Sequence, residues 1–253
     1  MIPKILHFVW ISEGGIDLPA EHAGNPSKWE SMNPGWAVRL WSGPELEGFV
    51  STHYPSYLPL WNSLGKAVKK SDLGRLLLLH HFGGIYLDWD LEPFSRPRGV
   101  LVSFAGSKVV YNKHITESRI SEIPSEDFVD ISSYGSVFSR ENCRIDRAGY
   151  GVANNTLMMA PGQPWVMDFI EQQEKCSGGP VLEFLGPWAM TRFWRTRVAE
   201  DPEKVKAEMT IIPPHYFIWE QWRMSSQPPS YAISAHTGEN TWGDKTRKDW
   251  WNA

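Results

Sequence analysis

Short apolar runs alternate with longer mixed segments through the first half of the chain. Residues 5–11 and 36–41 are rich in strand-forming side chains, and each run ends at a loop containing glycine. Residues 63–82 contain no proline and end at two glycines, which predicts a helix with a glycine stop. Residues 85–87 form a third predicted strand. This alternation predicts an α/β fold, in which ligands bind beyond the carboxyl ends of the strands.

The second half of the chain has weaker patterns. Residues 105–150 are polar and include proline and glycine, so we interpret them as an irregular insertion rather than more sheet. The predicted elements after it are a strand at 156–160, helices at 163–175 and 187–200, and a strand at 210–212. We expect the last segment, about residues 228–253, to contribute to the active site.

Length and composition favour one globular domain over residues 1–253. A chain of 253 residues that is 42% hydrophobic can fill a single core. The formal net charge of −4 argues against a nucleic-acid partner, because it provides no strong positive field. Cys143 and Cys176 form no C-x-x-C pair, the first residues lack the features of a signal peptide, and no run approaches about 18 apolar residues. We therefore expect a soluble, cytoplasmic protein with no membrane span.

Two aspartates, Asp88 and Asp90, follow directly on the third predicted strand. Residues two apart in an extended chain project to the same side, so both carboxylates can share one divalent cation. Oxygen ligands suit Mg²⁺ or Mn²⁺, which would bridge the carboxylates to a diphosphate and act as a Lewis acid for its departure. An EF-hand loop beginning at Asp88 is excluded, because it requires Gly and Glu where the chain has Pro93 and Gly99.

The residues before this pair make the pattern more specific. Asp72 and Arg75 are three apart and share a face of the predicted helix. They are either a solvated surface ion pair or, in the functional interpretation, an acceptor for sugar hydroxyls beside a forked donor for the sugar or diphosphate. Gly83 and Gly84 either cap the helix or let the chain turn tightly into the strand that leads to Asp88.

The stretch from Ser71 to Asp90 resembles the central signature of the glycosyltransferase family named for its DXD-containing sugar-binding region. Further pieces resemble the family in the same order: residues 2–11, 154–164, 186–187 and 236–242. Members include fungal mannosyltransferases, bacterial capsule and oligosaccharide enzymes and, distantly, the large clostridial glucosylating toxins. The resemblance implies a GT-A fold with a nucleotide-binding, mostly parallel sheet flanked by helices, a divalent cation (Mn²⁺ or Mg²⁺), and transfer with retention of configuration.

Donor-binding residues follow from the resemblance by position. Trp10 would stack on the nucleobase, and Asn155 would lie near the donor sugar. The sugar and ribose would be lined by Asp72, Arg75 and Tyr86, and Arg75 would also stabilise charge on the leaving phosphate. Packing of inward strand residues into the core is the alternative interpretation of Trp10 and Tyr86.

Metal binding is assigned in the same way. Asp88 would contact the ribose or sugar, and the metal through water, while Asp90 would bind the metal directly. His236 is the best candidate for a further ligand, and Trp242 would close over the diphosphate. The third ligand stays open, because the same segment offers the oxygen ligands Thr237, Glu239 and Asn240.

The predicted reaction is transfer of a hexose from a UDP- or GDP-sugar to a hydroxyl of a glycan or polysaccharide acceptor. Retention would arise by front-face attack, which we favour, or through a covalent intermediate. Hydrolysis or nucleotidyl transfer at the same metal is one alternative function. A non-catalytic carbohydrate-binding protein is another, which would use exposed tryptophans and no metal.

Overall fold

A computed structural model describes residues 1–15, 17–93, 108–110, 128–130, 134–146, 149–212, 218–220 and 234–236. The strands in this part of the chain are β1 (Ile5–Trp10), β2 (Ala37–Ser42), β3 (Gly84–Leu87), β4 (Leu91–Pro93), β5 (Lys108–Val110), β6 (Phe128–Asp130), β7 (Ser136–Asp146), β8 (Gly149–Met159), β9 (Met209–Ile212), β10 (Ile218–Glu220) and β11 (Ser234–His236). The helices are α1 (Ala20–Ala23), α2 (Asn25–Met32), α3 (Gly43–His53), α4 (Leu58–Ser63), α5 (Ala67–Phe82), α6 (Pro164–Gln173), α7 (Val181–Phe184), α8 (Pro187–Glu200) and α9 (Pro202–Glu208). Short 3₁₀ turns cover Pro55–Tyr57 and Glu174–Cys176.

A six-stranded sheet in the order β2-β1-β3-β8-β7-β9 organises these elements. β1 pairs in parallel with β2 and β3, and β7 pairs in parallel with β9. β8 is antiparallel to both of its neighbours, β3 and β7. The predicted α/β class, with a mostly parallel sheet flanked by helices, is confirmed.

Side chains of the central strands alternate between two apolar layers, as the pleat requires. Val9, Tyr86 and Leu157 belong to the larger core, which α5, α6 and α8 cover. The alternate residues Phe8 and Ile85 point into a second core that includes Trp29 of α2. Helices on both faces therefore bury the sheet and leave its edges for loops.

The central helix α5 is shorter than the predicted helix over 63–82. Leu64 is extended (ψ 106°) and separates α4 from α5, whose first amide, on Ala67, donates to a carboxylate oxygen of Glu13 at 3.1 Å. The predicted stop is confirmed: Gly83 adopts φ 65°, and its N–H donates to the Leu79 carbonyl at 2.8 Å. Every residue from 72 to 79 is buried, including the four consecutive leucines at 76–79.

The interpretation of residues 105–150 as an irregular insertion is wrong at its end. Ser136–Asp146 forms β7 of the main sheet, and β8 begins at Gly149 rather than at the predicted 156. The polar sequence does not predict these strands, because hydrogen bonds to the partner strands hold them in the sheet. β7 also shifts register three times against β8. The predicted elements at 163–175, 187–200 and 210–212 are confirmed as α6 with its 3₁₀ extension, α8 and β9.

The assignment of residues 1–253 to one domain stays a prediction. Within the described ranges, no helix combines the length and apolarity needed to cross a lipid bilayer.

Candidate active site

The carboxyl ends of β1, β2 and β3 meet at one edge of the sheet, because the three strands run in parallel. Trp10 ends β1 opposite Ser42, the last residue of β2. Asp88 follows β3, and its N–H donates to the Asn155 carbonyl of β8 at 2.9 Å. The topology therefore brings three of the predicted residues, Trp10, Asp88 and Asn155, to this edge.

Arg75 of α5 joins the helix to the same edge. Its guanidinium lies 3.1 Å from Asp72 Oδ1 and 3.3 Å from Asp88 Oδ1. It also donates to the Asn154 carbonyl at 2.7 Å, while the Asn154 amide donates to Asp72 Oδ1 at 3.0 Å. The side chains of Arg75 and Asp72 are only 6% and 3% exposed, which excludes the interpretation as a solvated surface pair.

Tyr86 completes this buried network from β3. Its hydroxyl donates to Asp88 Oδ1 at 2.6 Å, and the Arg75 guanidinium lies over its ring, 4.3 Å from the centroid. Burial raises the pKa of Tyr86 well above its ordinary value, so the phenol stays a neutral donor at physiological pH. Tyr86 therefore packs in the core, as its alternative interpretation predicts, and orients Asp88, while its contact with the donor sugar or ribose stays a prediction.

Burial also sets the protonation of the charged members of the network. Desolvation raises the pKa of Asp72 to about 6, although the Arg75 charge acts in the opposite direction. Desolvation lowers the pKa of Arg75, but Tyr86 and the carboxylates of Asp88, Asp72 and Asp90 raise it by more. The guanidinium therefore stays charged. The three carboxylates and one guanidinium leave a net charge of about −2 when Asp72 is ionised, which attracts a divalent cation.

Asp88 and Asp90 lie on a turn and not on an extended strand. The Leu91 N–H donates to the Asp88 carbonyl at 3.1 Å. The expectation that both carboxylates project to the same side of an extended chain therefore does not apply. Both carboxylates are partly exposed, and their oxygen atoms are the donors that Mg²⁺ and Mn²⁺ prefer. No group of three or more His, Cys, Asp or Glu side chains suited to a metal occurs in the described residues, so further ligands would come from elsewhere.

Of the predicted C-terminal ligands, only His236 lies among the described residues. His236 ends β11, which pairs antiparallel with β4 and sets the residue 236 backbone opposite Leu91, next to Asp90. This register brings residues 234–236 beside the turn that carries Asp88 and Asp90, which we call the aspartate turn. Asn240 and Trp242 lie outside the described residues.

Several residues that the sequence analysis missed support the site. Asn154 bridges Asp72 and Arg75, as described above, and its only sequence signal is its place beside Asn155. Asn25 donates to the Trp89 carbonyl at 2.8 Å, and Trp29 donates to the Leu91 carbonyl at 2.9 Å, so both hold the aspartate turn from α2. No sequence pattern links α2 to this turn, because the contacts cross more than 60 residues.

Unused hydrogen-bonding capacity marks the site as well. Asn155 is 7% exposed, and its side-chain oxygen has no hydrogen-bond partner among the described residues. The indole N–H of Trp10 is buried and likewise has no hydrogen-bond partner in that part of the chain. Buried polar atoms are normally paired, so these two atoms are suited to a bound molecule.

A pocket of about 340 Å³ adjoins Trp10, and we call it the Trp10 pocket. Trp10 is partly exposed there and does not serve only as a core aromatic. Its lining includes Trp10, Ser42, Glu47, Trp61 and Lys70. The pocket lies at the same edge of the sheet as the aspartate turn.

Comparison with known proteins agrees with this geometry. Residues 19–103 match the family model described as glycosyltransferase sugar-binding region containing DXD motif. Residues 19–103 are therefore similar to a DXD-type sugar-binding region. The matched residues include α5, β3 and the aspartate turn with its D-x-D sequence, Asp88-Trp89-Asp90.

Relatives share this region at modest identity. Inositol phosphoceramide mannosyltransferase 1 of Schizosaccharomyces pombe is 27% identical over 93 residues, which cover 36% of this chain and 28% of that protein. An uncharacterized glycosyltransferase of Acanthamoeba polyphaga mimivirus is 32% identical over 92 residues, 36% of each chain. The matched part therefore spans only about a third of the length of these relatives.

Solved structures with a similar fold cover more of the chain at lower identity. The PaToxG glycosyltransferase has a TM-score of 0.48 and 15% identity, over 81% of this chain and 71% of that one. The ligand-free glycosyltransferase domain of the YGT toxin has a TM-score of 0.47 and 13% identity, over 83% and 80%.

Proposed function

We propose that the chain is a metal-dependent retaining glycosyltransferase. It transfers a hexose from a UDP- or GDP-sugar to a hydroxyl of a glycan or polysaccharide acceptor. The observation that carries this proposal is the buried Asp72–Arg75–Asp88 network beside the partly exposed aspartate turn, inside a DXD-type sugar-binding region. The predicted cytoplasmic location stays a prediction.

The donor binds along the edge of the sheet in this proposal. Trp10 stacks on the nucleobase, and the diphosphate lies toward the aspartate turn. Asp72 and the unpartnered oxygen of Asn155 accept hydrogen bonds from hydroxyls of the sugar. Because Arg75 already contacts Asp72 and Asp88, its main role is to orient these carboxylates, and its contact with the leaving phosphate stays a prediction.

A divalent cation fits the acidic turn. Asp90 would bind Mn²⁺ or Mg²⁺ directly, Asp88 would act directly or through water, and His236 or Asn240 would add a ligand. When bound, the cation neutralises the diphosphate and acts as a Lewis acid for its departure. Trp242 would exclude water above the diphosphate. Attack by the acceptor hydroxyl on the face that the diphosphate leaves would preserve the anomeric configuration.

Incubation with nucleotide sugars tests this proposal. The purified chain is mixed with Mn²⁺ and a panel of UDP- and GDP-sugars, with and without acceptor glycans, and the products are identified by mass spectrometry. We expect glycan products that disappear with a chelator. Asp90→Asn lowers turnover by at least about 100-fold, because several kcal/mol of charge stabilisation is lost. Asp17→Asn, an exposed aspartate before α1, is the matched control and retains activity.

Each alternative function predicts a different result. Free sugar under every condition indicates a hydrolase at the same metal. Metal-independent glycan binding without affinity for nucleotides indicates a carbohydrate-binding protein. Unchanged turnover in Asp90→Asn contradicts the proposed role of the aspartate turn.

A further inference from the structure

The Trp10 pocket brings together three parts of the fold. Trp10 ends β1, Ser42 ends β2 and caps the helix α3 that contains Glu47, and Lys70 belongs to the first turns of α5. Trp61 contributes a second indole, and the Lys70 ammonium lies 5.3 Å from its ring centroid. Trp10 is partly exposed and offers a flat apolar face on which a planar ring can stack, whereas Trp61 is 1% exposed and supports the pocket from the core.

Helix N-termini at this pocket are already occupied by protein groups. The Ser42 hydroxyl accepts from the Glu45 N–H, and the Glu45 carboxylate accepts from the Ser42 N–H at 2.8 Å. At α5, the Glu13 carboxylate takes the Ala67 N–H. These three backbone amides are thus engaged by protein side chains and are not available to a phosphate.

Glu47 gives the pocket a hydrogen-bonding preference. An ionised carboxylate only accepts hydrogen bonds, and its two oxygens suit two N–H groups that lie side by side. The N1–H and N2–H groups of guanine form such a pair. Uracil instead offers one N–H between two carbonyl oxygens, and adenine and cytosine place a ring acceptor beside their amino group.

We propose that the Trp10 pocket selects guanine, with the Glu47 carboxylate accepting from N1–H and N2–H while Trp10 stacks on the base. Lys70 supplies a donor on the same pocket for the guanine carbonyl oxygen. This inference rests on the proposed function, and it narrows the donor to a GDP-sugar.

Calorimetric titration with free nucleotides tests the selection. GDP, IDP and UDP are titrated with Mn²⁺ into the wild-type chain, Glu47→Gln and Glu45→Gln. IDP keeps N1–H but lacks the N2 amino group, so it removes one of the two contacts from the ligand side. Glu45→Gln is the matched control, because it removes the same charge two residues away and glutamine preserves the capping box.

We expect the wild-type chain to bind GDP at least about tenfold more tightly than UDP, with IDP between them. Glu47→Gln weakens GDP by about tenfold or more and leaves UDP nearly unchanged, whereas Glu45→Gln leaves both unchanged. Equal responses of Glu47→Gln and Glu45→Gln overturn the inference, as does equal binding of GDP and IDP.

The same titrations separate this inference from the proposed function. Tighter binding of UDP than of GDP overturns guanine selection and leaves the glycosyltransferase proposal intact. Failure of the folded wild-type chain to bind any of the three nucleotides overturns both. The comparison of GDP, IDP and UDP uses the wild-type chain, so it decides the question even where a variant fails to fold.

Discussion

The ionised carboxylate of Asp72 is predicted to lower the free energy of unfolding, although the proposed binding of the donor sugar uses it. Its carboxyl is 3% exposed, and burial raises its pKa to about 6 from an ordinary 3.8 despite the adjacent Arg75. The folded protein therefore disfavours the ionised form, and this unfavourable contribution grows as the pH rises from about 4 through about 6. Asp72→Asn removes the charge and keeps an oxygen that accepts from Asn154.

The magnitude follows from the two pKa values. At about 1.4 kcal/mol per pKa unit, the difference between 3.8 and about 6 corresponds to about 3 kcal/mol above pH 7. This figure already includes the attraction between Asp72 and Arg75, because that attraction is one of the contributions to the Asp72 pKa. Arg75 still contacts Asp88 and the Asn154 carbonyl, so its charge is not stranded.

Urea unfolding from pH 4 to pH 8, with a chelator present, measures this effect. We expect Asp72→Asn to gain stability over the wild-type chain between pH 4 and pH 6, and to keep that gain above pH 7. Its turnover falls, because the proposed sugar ligand loses its charge. Asp17→Asn is the matched control and shows no such gain. A stability difference that stays constant or reverses with rising pH would refute the reasoning.

Three further predictions concern the fold around the site. Burial lowers the pKa of His7 from 6.5 to about 4, so the folded protein favours the neutral ring. The neutral ring contributes about 3 kcal/mol to the free energy of unfolding above pH 6.5, and this contribution is lost as the pH falls to about 4. Gly83→Ala lowers the free energy of unfolding by about 2 kcal/mol or more, because φ is +65° and the new Cβ would lie 2.7 Å from the Pro161 Cδ. Tyr86→Phe lowers it by about 1.5–3 kcal/mol, since the 2.6 Å hydrogen bond to Asp88 is lost.

Denaturant unfolding checks these three predictions, each with its own control. His7→Gln flattens the stability profile between pH 6.5 and pH 4, and an unchanged profile contradicts the role of His7. Gly162→Ala shares a positive φ of +72° but meets no atom within 4 Å, so a loss equal to that of Gly83→Ala would exclude the steric cause. Tyr57→Phe loses only a 3.5 Å contact to the sulfur of Met167, and we expect under about 0.5 kcal/mol.

Local patterns were sufficient to predict much of this fold. Apolar runs in β1 and β3 and the glycine stop after α5 are properties of short segments, and the structure confirms them. Asp88 and Asp90 could also be selected from sequence as candidate metal ligands, because they stand close together directly after a predicted strand. Local sequence determines such features because backbone preferences and side-chain periodicity act over a few residues.

Only the tertiary structure decided how the candidate site is assembled. The polar segment at 136–146 became a strand through pairing with β8 and β9, and Asn154 entered the network through a contact 82 residues away from Asp72. Burial turned Asp72 and Arg75 from a potential surface pair into the centre of the site. Desolvation and long-range hydrogen bonds depend on which elements pack together, and no local pattern in the chain encodes that packing.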